Sequence, residues 1–274
     1  MDKKVGFIIQ ARMSSTRFPG KVLQSIPLKD GKPMLLWIVD QLKTSSIQGD
    51  IIVATSTSSA DDKLEEFCTN NKIDCFRGDE DDVFSRFQSL AIKNQLDVVI
   101  RLTGDNPLID TGIIDAAVHY HINESNDYTY TNNLPVGMNV EIVNGTVFRK
   151  IDGDSLTKAD SEHVTLYIKN SSNFKKQCFN TELSSVVQNY RLTIDYPSDF
   201  LMLSSILQFY QPGVRTGIGL INYIQEEHPW IFEVNLQNVQ RKQYNSLKDE
   251  LNAAVNHLEN AALNRAAKIL KEYE

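Results

Sequence analysis

Cysteine is scarce in this chain, with three in 274 residues. Cys68, Cys75 and Cys178 are odd in number and form no CxxC pair, which fits a reducing cytoplasm better than a disulfide framework or a zinc site. Long apolar runs are missing as well. Val5–Ile9 is far too short for a signal peptide or a membrane span, so a cytoplasmic protein with no membrane partner is expected. Positive charge is in deficit. The 28 Lys and Arg against 35 Asp and Glu leave a formal net charge of −7, which argues against general affinity for nucleic acid or anionic membranes. There is no internal repeat and no low-complexity linker. The 41% apolar content suits one large globular domain, alone or with appendages.

Against this acidic background one stretch is basic. "FIIQARMSSTRFPGKVL", Phe7 to Leu23, joins an apolar strand to a loop carrying Arg12, Arg17 and Lys21. At ~8 Å and an effective dielectric near 20, each cation pair repels by roughly 2 kcal/mol. A solvated loop relieves that repulsion by spreading into water. A polyphosphate relieves it by neutralisation, and Ser14, Ser15, Thr16 and Gly20 supply hydroxyls and accessible backbone N–H groups for one. The loop is not a P-loop, which needs glycine where Ser15 stands and a hydroxyl residue where Val22 stands. No GxGxxG fingerprint occurs; "GIG" at 217–219 lacks both the third glycine and a preceding strand.

Short apolar strands alternate with helical patterns through the first half. Strands are expected at Val5–Ile9, Ile51–Ala54, Cys75–Phe76 and Val98–Leu102. Helices are expected at Met34–Leu42, Asp61–Phe67, Asp82–Lys93 and Ile113–Ile122. Apolar strands between helices read as a mostly parallel sheet covered on both faces, with ligands collecting beyond the carboxyl ends of the strands. From Tyr128 the texture changes. Strands at Tyr128–Thr131, Asn139–Val143, Lys176–Asn180 and Tyr190–Ile194, with one helix near Ser161–Lys169, read as an antiparallel or mixed extension of the same sheet. Helices follow near Phe200–Phe209 and Gly219–Gln225. From Tyr244 onward, apolar positions at helical spacing predict one helix of roughly 30 residues, about 45 Å long, packed on the body or on a second copy. His119 and His121 read as helix-surface residues, because no metal spacing surrounds them.

Two further strand ends repeat the design of the first. "VVIRLTGDNPLID" places Asp105 in a turn after its strand, and "YRLTIDYPSDF" does the same for Asp195, with Asp199 as a helix cap. Singly, each acid reads as a turn former. Brought to one crevice at ~5 Å, the two carboxylates repel by roughly 3 kcal/mol, and a divalent cation reverses the sign. Magnesium takes one or two carboxylates together with waters and substrate phosphates.

"IIQARMSSTRFPGKVL", "VIRLTGDNPLID", "YTNNLPVGMNVEIV", "SEHVTLYI" and "RLTIDYPSDF", in this order, resemble the spore-coat polysaccharide biosynthesis branch of the cytidylyltransferases. The acylneuraminate and deoxy-octulosonate cytidylyltransferases are its relatives. The likeness covers roughly residues 4–210. It implies an α/β, three-layer αβα nucleotide-diphospho-sugar transferase fold (glycosyltransferase-A-like, Rossmann-like) with a mixed sheet and C-terminal helices. The nucleotidyltransferase domain would span 1–228, with a nucleotide half at about 1–125 and an acceptor lobe at about 126–200. Residues 229–274 would form a helical extension. The implied reaction joins CTP to a sugar acid or phosphonate-type acceptor, giving a CMP-sugar and pyrophosphate for surface-polysaccharide or glycoconjugate biosynthesis, with Mg2+ as cofactor and a homodimer as the working form.

Carried over by position, Ala11, Arg12, Ser14, Ser15, Arg17 and Lys21 would bind the triphosphate end of the nucleotide. Arg77, Asp82 and Arg86, from "FRGDEDDVFSRF", would lie near the nucleoside. Asp105 and Asp195 would hold the metal, and Glu141, His163 and Arg191 would face the acceptor. Arg12, Arg17, Lys21, Asp105 and Asp195 would carry the catalysis. His163 has a structural alternative as a cap or partner within its own helix. The loop departs from many members, having Met13-Ser14-Ser15 where they place a glycine before serine. Two other functions stay open. A glycosyltransferase of this fold would use a DxD pair, which "DGD" at Asp152–Asp154 imitates, although it follows a helix. A nucleotide-binding subunit without catalysis would release no pyrophosphate.

Overall fold

Five consecutive buried residues, Val5–Ile9, leave the first strand no polar face, so it lies at the centre of a sheet. The computed structural model describes residues 3–238, 246–260 and 262–271. The strands are β1 (Val5–Gln10), β2 (Ser25–Ile26), β3 (Lys32–Pro33), β4 (Gly49–Ser56), β5 (Asp74–Gly78), β6 (Val98–Thr103), β7 (Tyr128–Asn132), β8 (Glu141–Asn144) and β9 (Lys176–Asn180). The short β2 and β3 pair with each other, and the other seven form a sheet in the order β5-β4-β1-β6-β8-β7-β9. Every pairing in that sheet is parallel except the two made by β8. The chain leaves β1 toward β4 and β5, then returns to β6 on the other side. The switch point, where open α/β sheets bind ligands, therefore lies between the carboxyl ends of β1 and β6.

The helices are α1 (Met34–Leu42), α2 (Asp62–Asn70), α3 (Val83–Lys93), α4 (Thr111–Asn123), α5 (Gly145–Lys150), α6 (Lys158–Glu162), α7 (Leu166–Asn170), α8 (Ser185–Gln188), α9 (Pro197–Leu207) and α10 (Gly217–Glu227). Successive side chains of β1 point to opposite faces of the sheet. Phe7 and Ile9 join a core with α1, α4, α9 and α10, whereas Ile8 joins a second core with α3, α5 and α7. The result is the expected three-layer αβα arrangement with a mixed sheet.

Several expectations are corrected. Tyr190–Ile194 forms no strand; a single bridge joins Arg191 to Val136, and the segment runs as an extended chain with Leu192 and Ile194 fully buried. The helix expected near Ser161–Lys169 is two, α6 and α7. They are separated where Val164, fully buried in the second core, takes φ +53°. "DGD" at 152–154 follows a helix, as expected, and is a capped turn: the Asp152 side chain accepts from the Asp154 N–H at 3.2 Å, at the start of a 3-10 turn.

The chain divides into two units, Met1–Gln237 and Asn238–Glu274. Pro229–Asn235, placed beyond residue 228 with the extension, is a 3-10 segment whose Ile231 and Phe232 join the first core. In the second unit the single long helix expected from Tyr244 is instead α11 (Leu247–Asn260) and α12 (Asn264–Lys271). Tyr244 itself lies outside the described residues. The break has a definite geometry: Ala262 takes φ +59°. Its N–H reaches Glu259 O at 2.9 Å and the Leu263 N–H reaches Leu258 O at 2.8 Å. That paired closure ends a helix, and here alanine occupies the left-handed position where glycine is usual.

His121 is not on the helix surface. It is 2% exposed, and its Nδ1 lies 2.9 Å from Thr129 Oγ1, which also accepts from Asn126 Nδ2 at 3.0 Å. Burial pushes the imidazole down from 6.5 to about 4, against a weaker upward pull from Asp127. Between these values the unfolded chain binds a proton that the folded chain refuses. This contribution is therefore complete above pH 6.5 and is lost as pH falls toward 4. We expect unfolding free energy to drop by about 2 kcal/mol from pH 7 to pH 5 through this residue. Urea midpoints at the two pH values check it. The His121→Leu variant should lose this part of the pH dependence, and an unchanged slope would assign it elsewhere.

Candidate functional site

The loop after β1 is held on three sides. The Ala11 N–H donates to Ala54 O at 3.1 Å, prolonging the sheet by one residue. Gly104, just past β6, runs so close that a Cβ there would lie 2.8 Å from the Ala11 Cβ, so only glycine lets the two strand exits run side by side. Within the loop, the Ser15 and Gly20 N–H groups both donate to Met13 O, at 3.1 and 3.0 Å, and Gly20 adopts φ +70°. Asp61, 1% exposed, fastens the loop to the end of β4. It accepts from the Met13 N–H at 2.6 Å and from the hydroxyl and N–H of Ser56 at 2.5 and 3.2 Å. Burial alone would raise this carboxyl, but those hydrogen bonds hold it below its usual range. The sequence reading gave Asp61 only a place at a helix start. The signal present was an acid pair in the short turn that follows a strand, in "STSSADD".

The loop delivers Lys21 to both distant aspartates. Its ammonium donates to Asp105 Oδ2 at 3.0 Å, to Asp195 Oδ1 at 3.2 Å and to the carbonyl of Ile194. Arg17 pairs with Asp195 Oδ1 at 2.8 Å and lies over the Tyr196 ring at 4.8 Å. On the other side, Arg191 donates to Asp195 Oδ2 at 2.7 Å and to Asp199 Oδ1 at 3.2 Å. Asp199 is fully buried and also accepts from the N–H groups of Asp195 and Tyr196, both at 2.9 Å, and from Asn235 at 2.8 Å. The Ile194 N–H donates to Asp105 O at 2.9 Å, joining the two acidic turns through the backbone. Burial pushes the Asp195 carboxyl up, and Lys21, Arg191 and Arg17 together bring it below its usual value.

The donor chemistry tests the magnesium expectation. Among the described residues no group of three His, Cys, Asp or Glu could hold a metal. Asp105 and Asp195 share one ammonium, and the Asp105 side chain is 29% exposed. Two carboxylates with room for waters and phosphate oxygens fit a magnesium ion arriving on a triphosphate, and not one caged by protein alone.

A cleft of about 340 Å³ has a lining that includes Gln10, Arg12, Glu80, Asp81, Arg101 and His163, with Arg12 from the same loop as Lys21. The residues expected near the nucleoside divide. Asp82 caps α3 by accepting from the Ser85 N–H at 3.0 Å. Arg86, 2% exposed, donates to Asp79 O at 2.7 Å and Glu80 O at 2.8 Å, and so braces the loop that presents Glu80 and Asp81. Arg77 is not brought to the cleft. Its guanidinium is taken by Ser56 O, Ser58 O, Glu65 and Asp62, each at 2.8 Å.

The acceptor candidates divide too. His163 lines the cleft at the end of α6. Arg191 is engaged by two aspartates instead. Glu141 is ringed by donors: Arg101, Lys169 at 2.5 Å, the Tyr128 hydroxyl at 2.5 Å and the Thr165 hydroxyl at 3.0 Å. Burial pushes Glu141 up, but Arg101 and Lys169 bring it down to about 2, a committed anion whose partners are internal. Ser15 Oγ accepts from the Phe18 N–H at 3.4 Å within the loop, while Ser14 and Arg12 are exposed.

Comparison with known proteins agrees with this geometry. The family model for cytidylyltransferases matches residues 6–228. The spore coat polysaccharide biosynthesis protein SpsF of Bacillus subtilis is 36% identical over 208 residues, covering 74% of this chain and 85% of that protein. A 3-deoxy-manno-octulosonate cytidylyltransferase of Geobacter metallireducens is 30% identical over 115 residues, covering 42% of this chain and 43% of its own length. Among solved structures, a cytidylyltransferase from Leptospira borgpetersenii superposes with a TM-score of 0.76 at 30% identity, covering 88% of this chain and all of that one. CMP:2-keto-3-deoxy-manno-octonic acid synthetase, at 13% identity and a TM-score of 0.57 over 75% of this chain and 98% of its own, shares the fold. The strand-end loop, the paired aspartates and these likenesses converge: the chain belongs to the cytidylyltransferase family, on the branch of the Bacillus spore-coat protein, and is a CTP-dependent nucleotidyltransferase.

Proposed function

We propose that this enzyme transfers CMP from CTP to an anionic acceptor, a sugar acid or a related phosphonate, releasing pyrophosphate for the synthesis of a surface polysaccharide. The observation that carries the reading is Lys21 bridging Asp105 and Asp195 at 3.0 and 3.2 Å, at the sheet's switch point. The acceptor class is supported by the name of the Geobacter relative, and the polysaccharide pathway by that of the Bacillus one.

In this reading the acceptor oxygen attacks the α-phosphorus in line. Arg12, Arg17 and Lys21 hold the triphosphate and meet the charge that collects on the leaving pyrophosphate. The Ala11 backbone and the Ser14 and Ser15 side of the loop approach it closely. The loop braced by Asp82 and Arg86 borders the nucleoside, and His163 borders the acceptor. Asp105 and Asp195 are the residues that would hold magnesium, which when bound neutralises phosphate charge and orients the leaving group. Arg191 and Asp199 keep Asp195 in place. The reading takes the working form as a homodimer in the cytoplasm. Among the described residues no helix is long and apolar enough to cross a membrane.

The test is pyrophosphate release across a grid of nucleotides and acceptors with magnesium present. Release should need CTP together with a sugar acid or phosphonate. Sugar transfer from a nucleotide sugar without pyrophosphate would establish the glycosyltransferase alternative, and tight CTP binding with no release under any acceptor would establish a non-catalytic subunit.

A further inference from the structure

Arg101 stands where the sheet has no reason to place a charge. It is in register with Ile8 on one side and Glu141 on the other. It shares its face with Ile8 and Val99, both fully buried in the second core. An arginine in such a place costs stability unless its charge and its five N–H donors are answered. They are answered in part. One Nη donates to Glu141, and the other donates to Gln10 Oε1 at 3.2 Å. Nε is buried with no hydrogen-bond partner. Glu141 does not cancel the charge alone, because Lys169 also pairs with it at 2.5 Å, leaving two cations on one carboxylate. Arg101 lines the cleft, where the other charged groups are Arg12 and Lys158 against Glu80, Asp81 and Glu162.

We infer that Arg101 is the residue that grips the acid group of the acceptor, with Glu141 as the positioning residue that aims its guanidinium. This rests on the transfer proposed above. The triphosphate has its own cations in Arg12, Arg17 and Lys21, and cytosine is neutral, so the acceptor's carboxylate or phosphonate is the anion still unmatched. A planar guanidinium with five N–H donors, of which Glu141 and Gln10 take two, suits either oxyanion. Glu141, expected to touch the acceptor, acts through Arg101 instead.

The experiment compares wild type with Arg101→Gln and Arg101→Lys, using CTP and two acceptor probes, 3-deoxy-manno-octulosonate and its methyl ester. Wild type should prefer the acid over the ester by roughly 10- to 100-fold in kcat/KM, the range for a hydrogen-bonded charge. Arg101→Gln should raise KM for the acid by a similar factor, leave KM for CTP unchanged and erase the preference over the ester. Arg101→Lys should fall between. Equal use of acid and ester by wild type would overturn the inference even if neither variant folds. A raised KM for CTP with the acid preference intact would make Arg101 a nucleotide residue and also overturn it. Should wild type release no pyrophosphate with either probe, titration of wild type and Arg101→Gln with methylphosphonate, in the presence of CTP and magnesium, decides: wild type should bind it at least tenfold more tightly, and equal binding would sink the inference. Failure of the transfer reading itself is read separately, as no pyrophosphate release across the whole acceptor grid.

Discussion

Replacing Lys21 by alanine should lower kcat/KM for pyrophosphate release by roughly 10³-fold, the scale for removing a preorganised charge from a site of this kind. The residue is 7% exposed, so its charge acts in a medium where electrostatic interactions are strong. Its loss also leaves Asp105 and Asp195 without the counter-ion they share. Lys21→Arg should not restore activity. Three acceptors, Asp105 Oδ2, Asp195 Oδ1 and Ile194 O, surround one nitrogen. That arrangement matches the three protons of an ammonium and not a flat fork. Steady-state pyrophosphate release, alongside circular dichroism to confirm folding, measures it. Turnover within about threefold of wild type would reduce the cationic loop to a solvated one.

Asp105→Asn should cost on the order of 10²- to 10³-fold in kcat and move the magnesium dependence to higher concentration. Asparagine keeps the shape and one acceptor oxygen but gives up the charge. The side chain is 29% exposed and, among the described residues, its one ion pair is with Lys21, so the thermal midpoint should barely change. Rate against magnesium concentration is the decisive readout. A variant with the same magnesium requirement and the same turnover would remove Asp105 from the metal's coordination.

How much of this was legible depended on range. β1, β4 and β6 announced themselves because buried parallel strands are largely apolar, Arg101 in β6 excepted, and they drew attention to the residues after them. Arg12, Lys21 and Asp105 follow from that local rule. Asp195 was found at the end of a segment that proved not to be a strand; the turn chemistry carried the reading although the element did not. Val164 broke a helix because its burial outweighed local propensity, which no spacing rule registers. The burial of His121 could have been read: Ile114, Ala117, Val118 and His121 follow the helical stripe, and all four are buried. The contact of Arg101 with Glu141 could not, since the two meet through the antiparallel pairing of β6 with β8. Arg77 shows the opposite case: Asp62 and Glu65 on α2, close to it in sequence, hold its guanidinium.

The salt-bridge cluster around Asp195 has one more implication. Arg17, Lys21 and Arg191 face Asp105, Asp195 and Asp199, three charges of each sign. The cluster is thus self-neutralised, and on the proposed reading a phosphate chain would enter by exchange of partners, drawing cations off acids that then need replacement charge. A triphosphate arriving bare leaves those acids stranded, whereas one escorted by a divalent ion repairs the deficit as it creates it. Nucleotide and metal should therefore each tighten the binding of the other, a reciprocity wired into the unliganded protein before any substrate is present.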